Sequence, residues 1–187
     1  MVTEAHGLPP GEYFVKRDTK NGLGPKELDF SEKMGLVVAH NSVRDLAHNL
    51  VTDPKEQCMV MKKIGKNIKN LTSYLLLRGK SEAECAKWVD ARLDVLMPKI
   101  THMRSVIGDY AHCDLHPGNT RWTDDTDCTI IDYGSAKTPC TVDGVDKDAR
   151  NLLRVSWIGS LCVEKVGYSV DELPSQHITG KEGCVIA

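Results

Sequence analysis

The stretch HCDLHPGN, His112 to Asn119, is followed by CTIIDYG, in which Asp132 stands before an aromatic residue and a glycine. Two carboxylates, a carboxamide and two imidazoles are concentrated in one short span. Phosphoryl transfer asks for such a set: one carboxylate to orient an attacking hydroxyl, and further oxygens to hold magnesium against nucleotide phosphates. Asp114, Asn119 and Asp132 supply those oxygens. The step from Asp114 to Asn119, through Pro117 and Gly118, suits a tight loop that turns both side chains toward a common point. Gly134 lets the backbone turn away directly after Asp132.

These residues resemble the catalytic core of the protein-kinase-like superfamily: HCDLHPGN is similar to its catalytic loop and DYG to its Asp-Phe-Gly element. The resemblance implies an α+β, two-lobed fold with a reduced, mostly antiparallel β N-lobe and a helical C-lobe, working with ATP and Mg2+. It implies Asp114 as catalytic base with His116 beside it, Asn119 and Asp132 as magnesium ligands, and His112 and Tyr133 as packing residues. Upstream, YFVKR resembles the third strand of a kinase N-lobe, which assigns Lys16 to the nucleotide phosphates. KELDFSEKM resembles the helix whose glutamate pairs with that lysine, and its phase favours Glu27 over Glu32. QCMVMKKIGKNI resembles the last N-lobe strand and the hinge, so the backbone of Met61, Lys62, Lys63 and Ile64 would meet adenine. DKDARNLL resembles the start of the large C-lobe helix, with Asp148 bracing the backbone. On this reading a single domain has its N-lobe up to about residue 62, a hinge at about 61–66, a C-lobe over about 67–170 and a tail from about 171.

The chain departs from the family in three places. HGLPPG offers only Gly7 and Gly11 ahead of Lys16, so the phosphate lid is truncated or unconventional. Nothing resembles an activation segment ending in Ala-Pro-Glu. His116 stands where ordinary protein kinases carry lysine, and HxDLHPGN is the form found in aminoglycoside and choline phosphotransferases and in ubiquinone-type atypical kinases. A protein Ser or Thr hydroxyl is the favoured acceptor, because little chain follows Asp148 to enclose a small molecule. Short bacterial effector kinases of the HopBF type, acting on a host protein, share this economy. A small-molecule phosphotransferase is the alternative, and a pseudokinase scaffold is a third reading from another class.

Plainer readings exist for several of these residues. His112 and His116 have the spacing of a helical zinc motif, but Pro117 and Gly118 argue against a helix there. GKS, Gly79 to Ser81, ends like a phosphate-binding loop, yet Tyr74 stands where its first glycine belongs, and a turn is preferred. DDTD, Asp124 to Asp127, reads as a solvated hairpin tip. Lys16 and Glu27 also suit ordinary surface charges, and Cys113 reads as a buried small residue.

Several elements must position the loop. Strands are expected over Glu12 to Arg17, Leu46 to Val51 and Cys58 to Met61, and a helix from Pro25 ending before Gly35. NIKNLTSYLLLR reads as helical, followed by a helix from about Ser81 to Val106 with Trp88, Leu93 and Leu96 on one face and Pro98 as a possible kink. TRWT and CTIID form a hairpin. A last helix, Lys147 to about Val166, would bury Leu152, Leu153, Val155, Trp157 and Leu161.

At 187 residues the chain fits one domain, and 24 basic against 26 acidic residues without a basic, aromatic-laced stripe argue against a nucleic-acid partner. No apolar run is long enough to span a bilayer and no signal peptide is evident, which predicts a soluble, cytoplasmic protein. Seven cysteines with no C-x-x-C pair predict reduced thiols. The final CVIA fits a prenylation signal at Cys184, with Ala favouring farnesyl and only reversible membrane association; a frayed apolar tail is the alternative.

Overall fold

A computed structural model describes residues 12–17, 25–40, 58–108, 110–137 and 147–163, with Arg17, Pro25 and 147–149 given by backbone alone. They form an α+β structure with small antiparallel sheets. The chain divides into two compact units, the first holding residues up to Lys63 together with Asp132–Ser135, the second beginning at Ile64.

In the first unit, β1 (Tyr13–Arg17), β2 (Val37–His40) and β3 (Cys58–Lys62) make an antiparallel sheet in the order β1-β3-β2. Lys16 pairs with Met59 and Phe14 with Met61, so these four side chains share one face. Helix α1 (Pro25–Lys33) starts at a proline, carries Glu27 in its first turn and Lys33 in its last, and gives way to Gly35 at φ +69°. Its Leu28 packs on Met59, with Val37 and Met61 against them. Burying side chains of this size contributes about 1.5–3 kcal/mol each. Strand β2 was not anticipated: it is short, its pairing slips between Val37 and Ala39, and Val38 faces solvent, so no alternating pattern announces it. The strand expected over Leu46 to Val51 lies outside the described residues.

In the second unit the helix expected over NIKNLTSYLLLR is broken. Asn67 caps a 3-10 turn, Ile68–Asn70, by accepting from Lys69 N at 2.9 Å, Leu71 is extended, and only α2 (Thr72–Leu75) follows. Ser81 then caps α3 (Glu82–Ile107) in a reciprocal capping box with Glu84. Cys85, Val89, Leu93, Leu96, Ile100, Met103 and Ile107 form its buried stripe, and Pro98 lies inside the helix without ending it. Trp88 is half-buried at the flank of the stripe, 5.4 Å from the Tyr74 ring and under the Arg92 guanidinium. Strands β4 (Thr120–Trp122) and β5 (Cys128–Ile130) form the expected hairpin.

Helix α4 (Lys147–Leu161) buries Leu153, Trp157 and Leu161. Leu152 and Val155 do not join them: they are 51% and 70% exposed, because helical spacing turns them away from the stripe at 153, 157 and 161. The DDTD tip is not merely solvated. Arg92, on the buried side of α3, donates to Asp125 at 2.7 Å, Ser73 donates to the same carboxylate, and Lys99 pairs with Asp127 at 2.6 Å.

The expectation of reduced thiols throughout is also overturned. Cys85 of α3 and Cys162, just past α4, form a disulfide with Cα atoms 5.8 Å apart. They are 77 residues apart in sequence and meet because α3 and α4 pack together, which no local spacing reveals. Cys58, Cys113 and Cys128 remain thiols. Among the described residues, no helix is long and apolar enough to cross a membrane.

Candidate functional site

In the first unit the sheet aims Lys16 at α1. Its amine makes an ion pair with Glu27 and a second with Asp132 Oδ1 at 2.6 Å. Glu27 is 5% exposed, and a carboxylate buried to that degree is costly without an opposite charge beside it. Burial alone would lower the Lys16 pKa, but the charge of Glu27 and the hydrogen bonds the amine donates to Asp132 and Glu27 outweigh it and hold the amine above the ordinary lysine value. Glu32 is engaged elsewhere, with His40 Nε2 at 2.8 Å. Asp132 has φ +66°, a left-handed conformation that costs a non-glycine residue energy. The following turn, Tyr133–Ser135, packs on α1, with Gly134 close enough that an added Cβ would stand 3.2 Å from Glu27 Oε2. Tyr133 is buried, and burial pushes its phenol pKa up.

Of the residues expected near adenine, Met61 is half-buried on the Lys16 face of β3, while Lys62 and Lys63 are exposed. Lys63 N donates to Glu12 O at 2.8 Å and its amine pairs with the Glu12 carboxylate at 2.7 Å. Ile64 opens the second unit and is half-buried.

The second unit holds the loop with Asp114. His112 is fully buried, its Nε2 2.8 Å from Ile131 O, and Cys113 takes φ +62°. Cys113 is half-buried rather than buried, donating from Sγ to Ala111 O at 3.3 Å. Its turn presents Asp114, whose side chain is 51% exposed. Asn119, almost buried, donates from Nδ2 to Asp114 O at 2.8 Å and Oδ2 at 3.2 Å. These bonds fix the carboxamide with Oδ1 as its remaining acceptor. His116 accepts from Gly118 N at Nδ1, 3.0 Å, so the neutral ring carries its proton on Nε2, 4.0 Å from Asp114 Oδ2. No helix runs through His112 to His116, which removes the zinc-motif geometry. Among the described residues, no three of His, Cys, Asp and Glu gather as a metal site.

The structure thus groups Lys16, Glu27 and Asp132 in one unit, and Asp114, His116 and Asn119 in the other. No protein-family model matches this chain, and no curated protein matches it. Two residues beyond the expected set bear on the loop. Trp157 donates from Nε1 to Leu115 O at 3.0 Å, and Trp122 donates to Thr120 Oγ1 at 2.9 Å. The sequence marks Trp157 as part of an apolar helix face and Trp122 only as part of a strand, and nothing local signals the polar contacts. The side chain of Asp148, Gly7, Gly11 and Cys184 lie outside the described residues.

Proposed function

We propose that this chain is an ATP- and magnesium-dependent phosphotransferase that moves a γ-phosphate onto a hydroxyl, with a protein Ser or Thr as acceptor. The observation that carries the reading is the Lys16 amine shared between Glu27 and Asp132. An ordinary surface lysine gains little from one carboxylate and has no cause to be drawn between two remote ones. In this proposal Glu27 holds the amine for the nucleotide phosphates, and the apolar face of Phe14 and Met61 beside Lys16 receives the base. Asp114 orients the acceptor hydroxyl and takes its proton as the new O–P bond forms and the bond to the leaving phosphate oxygen breaks. Asn119 holds the Asp114 carboxylate in place through Nδ2.

A hard cation suits the donors: the Asp132 carboxylate of the first unit and Asn119 Oδ1 of the second are each oxygens of the kind magnesium takes. Bound there, magnesium would offset charge on the β- and γ-phosphates. The HxDLHPGN form favours a small-molecule acceptor as the second reading.

The test is incubation of the purified chain with γ-labelled ATP, magnesium, a cell lysate and a panel of amino-alcohols and sugars. Label on protein, absent with Asp132→Ala, supports the proposal; label on a small molecule moves it to the second reading. ATP binding without transfer to any acceptor leaves the scaffold reading. Transfer unchanged in Asp132→Ala sinks the mechanism.

A further inference from the structure

We propose that Trp157 and the Cys85–Cys162 disulfide form a redox-dependent brace for the Asp114 loop, so that reducing the disulfide slows phosphoryl transfer. The effect on turnover rests on the phosphotransferase reading; the brace itself does not.

Leu115 lies between Asp114 and His116 and is 3% exposed, and its carbonyl accepts from the fully buried Trp157 indole. A buried carbonyl that loses its donor is costly, so the loop backbone follows the position of α4. Beyond its buried stripe of Leu153, Trp157 and Leu161, α4 is held by ion pairs to α3 at one end and by a hydrogen bond from α2 and the disulfide to α3 at the other. Arg150 and Arg154 reach Asp94 and Asp90 at 2.6 Å, but these groups are substantially exposed and such pairs contribute little. At the other end Leu161 O accepts from Tyr74 at 3.1 Å, and the adjacent Cys162 is bonded to Cys85. Trp157 stands less than two turns from this staple. Both cysteines are 1% exposed. Cleavage replaces a covalent link by two thiols that must separate to van der Waals contact, and a close-packed interior passes that separation to α4. The step balances with a dithiol reductant. It supplies two electrons and two protons, the S–S bond breaks to two thiols, and the reductant closes to its own disulfide.

Two further variants isolate the parts of the brace. Trp157→Phe keeps the aromatic body and removes the indole donor; Cys85→Ala with Cys162→Ala removes the staple and leaves Cys58, Cys113 and Cys128 in place.

The experiment compares the full chain, purified without reductant, with the same protein reduced by dithiothreitol. Hydrogen exchange is followed at the amides of His116 and Asn119, which close the loop on Asp114 O and His116 O. Reduction is expected to speed that exchange by about tenfold and to lower turnover severalfold, with ATP affinity unchanged. Oxidised Trp157→Phe should match the reduced wild type, and the double cysteine variant should match it with or without dithiothreitol. Equal exchange in the two redox states, or a double variant that still responds to dithiothreitol, overturns the brace. If no acceptor is phosphorylated in either state, the exchange comparison alone decides the brace, and the phosphotransferase reading fails separately. Should the double variant not fold, wild type in both redox states and Trp157→Phe decide it.

Discussion

Lys16 and Asp132 are 116 residues apart in the chain, and their amine and carboxylate meet at 2.6 Å. The same amine holds Glu27, which is nearly buried. Lys16→Met therefore removes a cation from between two carboxylates, one of them nearly buried. Breaking a buried pair costs about 3–5 kcal/mol, and the partial exposure of Lys16 reduces this to roughly 2–3 kcal/mol. Urea denaturation should show that loss, and transfer should fall by about two to three orders of magnitude. Wild-type stability in Lys16→Met would mean that the pair does not hold in solution.

Asp114→Ala should behave differently. Its carboxylate is half exposed and belongs to the other unit, so its removal leaves the Lys16 cluster intact. Nucleotide affinity is expected within about twofold of wild type, while turnover falls by about 10² to 10⁴. Calorimetry with ATP and magnesium beside a transfer assay separates the two quantities. ATP affinity lost with turnover per bound ATP preserved would reverse the roles of Asp114 and Asp132.

What could be read from the sequence was whatever has a local cause. Pro25 and Gly35 bracket α1, Ser81 and Glu84 start α3, and an acidic turn separates the β4–β5 strands. Glu27 rather than Glu32 beside Lys16 follows from helical phase, and Glu32 is held by His40. What escaped has a distant cause or none in the local pattern. Cys85 and Cys162 pair through helix packing, and Arg92 reaches the Asp125 tip across 33 residues. Leu152 and Val155 misled because α4 carries apolar residues on more than one face.

Gly65 provides a stability test that involves none of the candidate site residues. It has φ +48°, and an added Cβ would stand 2.5 Å from the Trp122 carbonyl oxygen, in the backbone bridge between Lys66 and Trp122. Backbone cannot swing aside as a side chain can. Gly65→Ala should cost about 3 kcal/mol or more, combining left-handed strain with a steric clash. Gly79→Ala has similar strain at φ +77° but open space, and should cost only about 1–2 kcal/mol. Thermal melts of the two variants check the order, and equal losses would place the whole effect in backbone strain.

Alkaline pH tests the interior of the β4–β5 hairpin. Burial pushes the Cys128 thiol from 9.0 up to about 12, with Lys99 opposing the shift and Asp127 adding to it. The folded protein therefore keeps a proton that the unfolded chain gives up. A raised pKa contributes stability that is fully present below pH 9.0 and is lost as pH rises through the window to about 12. The loss from this group approaches about 1.4 kcal/mol per pH unit inside that window. Lys16, also raised, keeps its contribution below the ordinary lysine value and loses it only at higher pH, so it leaves the lower part of the Cys128 window unaffected. Cys128→Ala should flatten the fall in stability between about pH 9 and 10, measured by urea denaturation at each pH, after allowance for a cavity cost that is the same at every pH. At pH 8 a thiol reagent should label Cys128 only on unfolding, and rapid labelling in the native protein would show that the thiol is not buried in the hairpin.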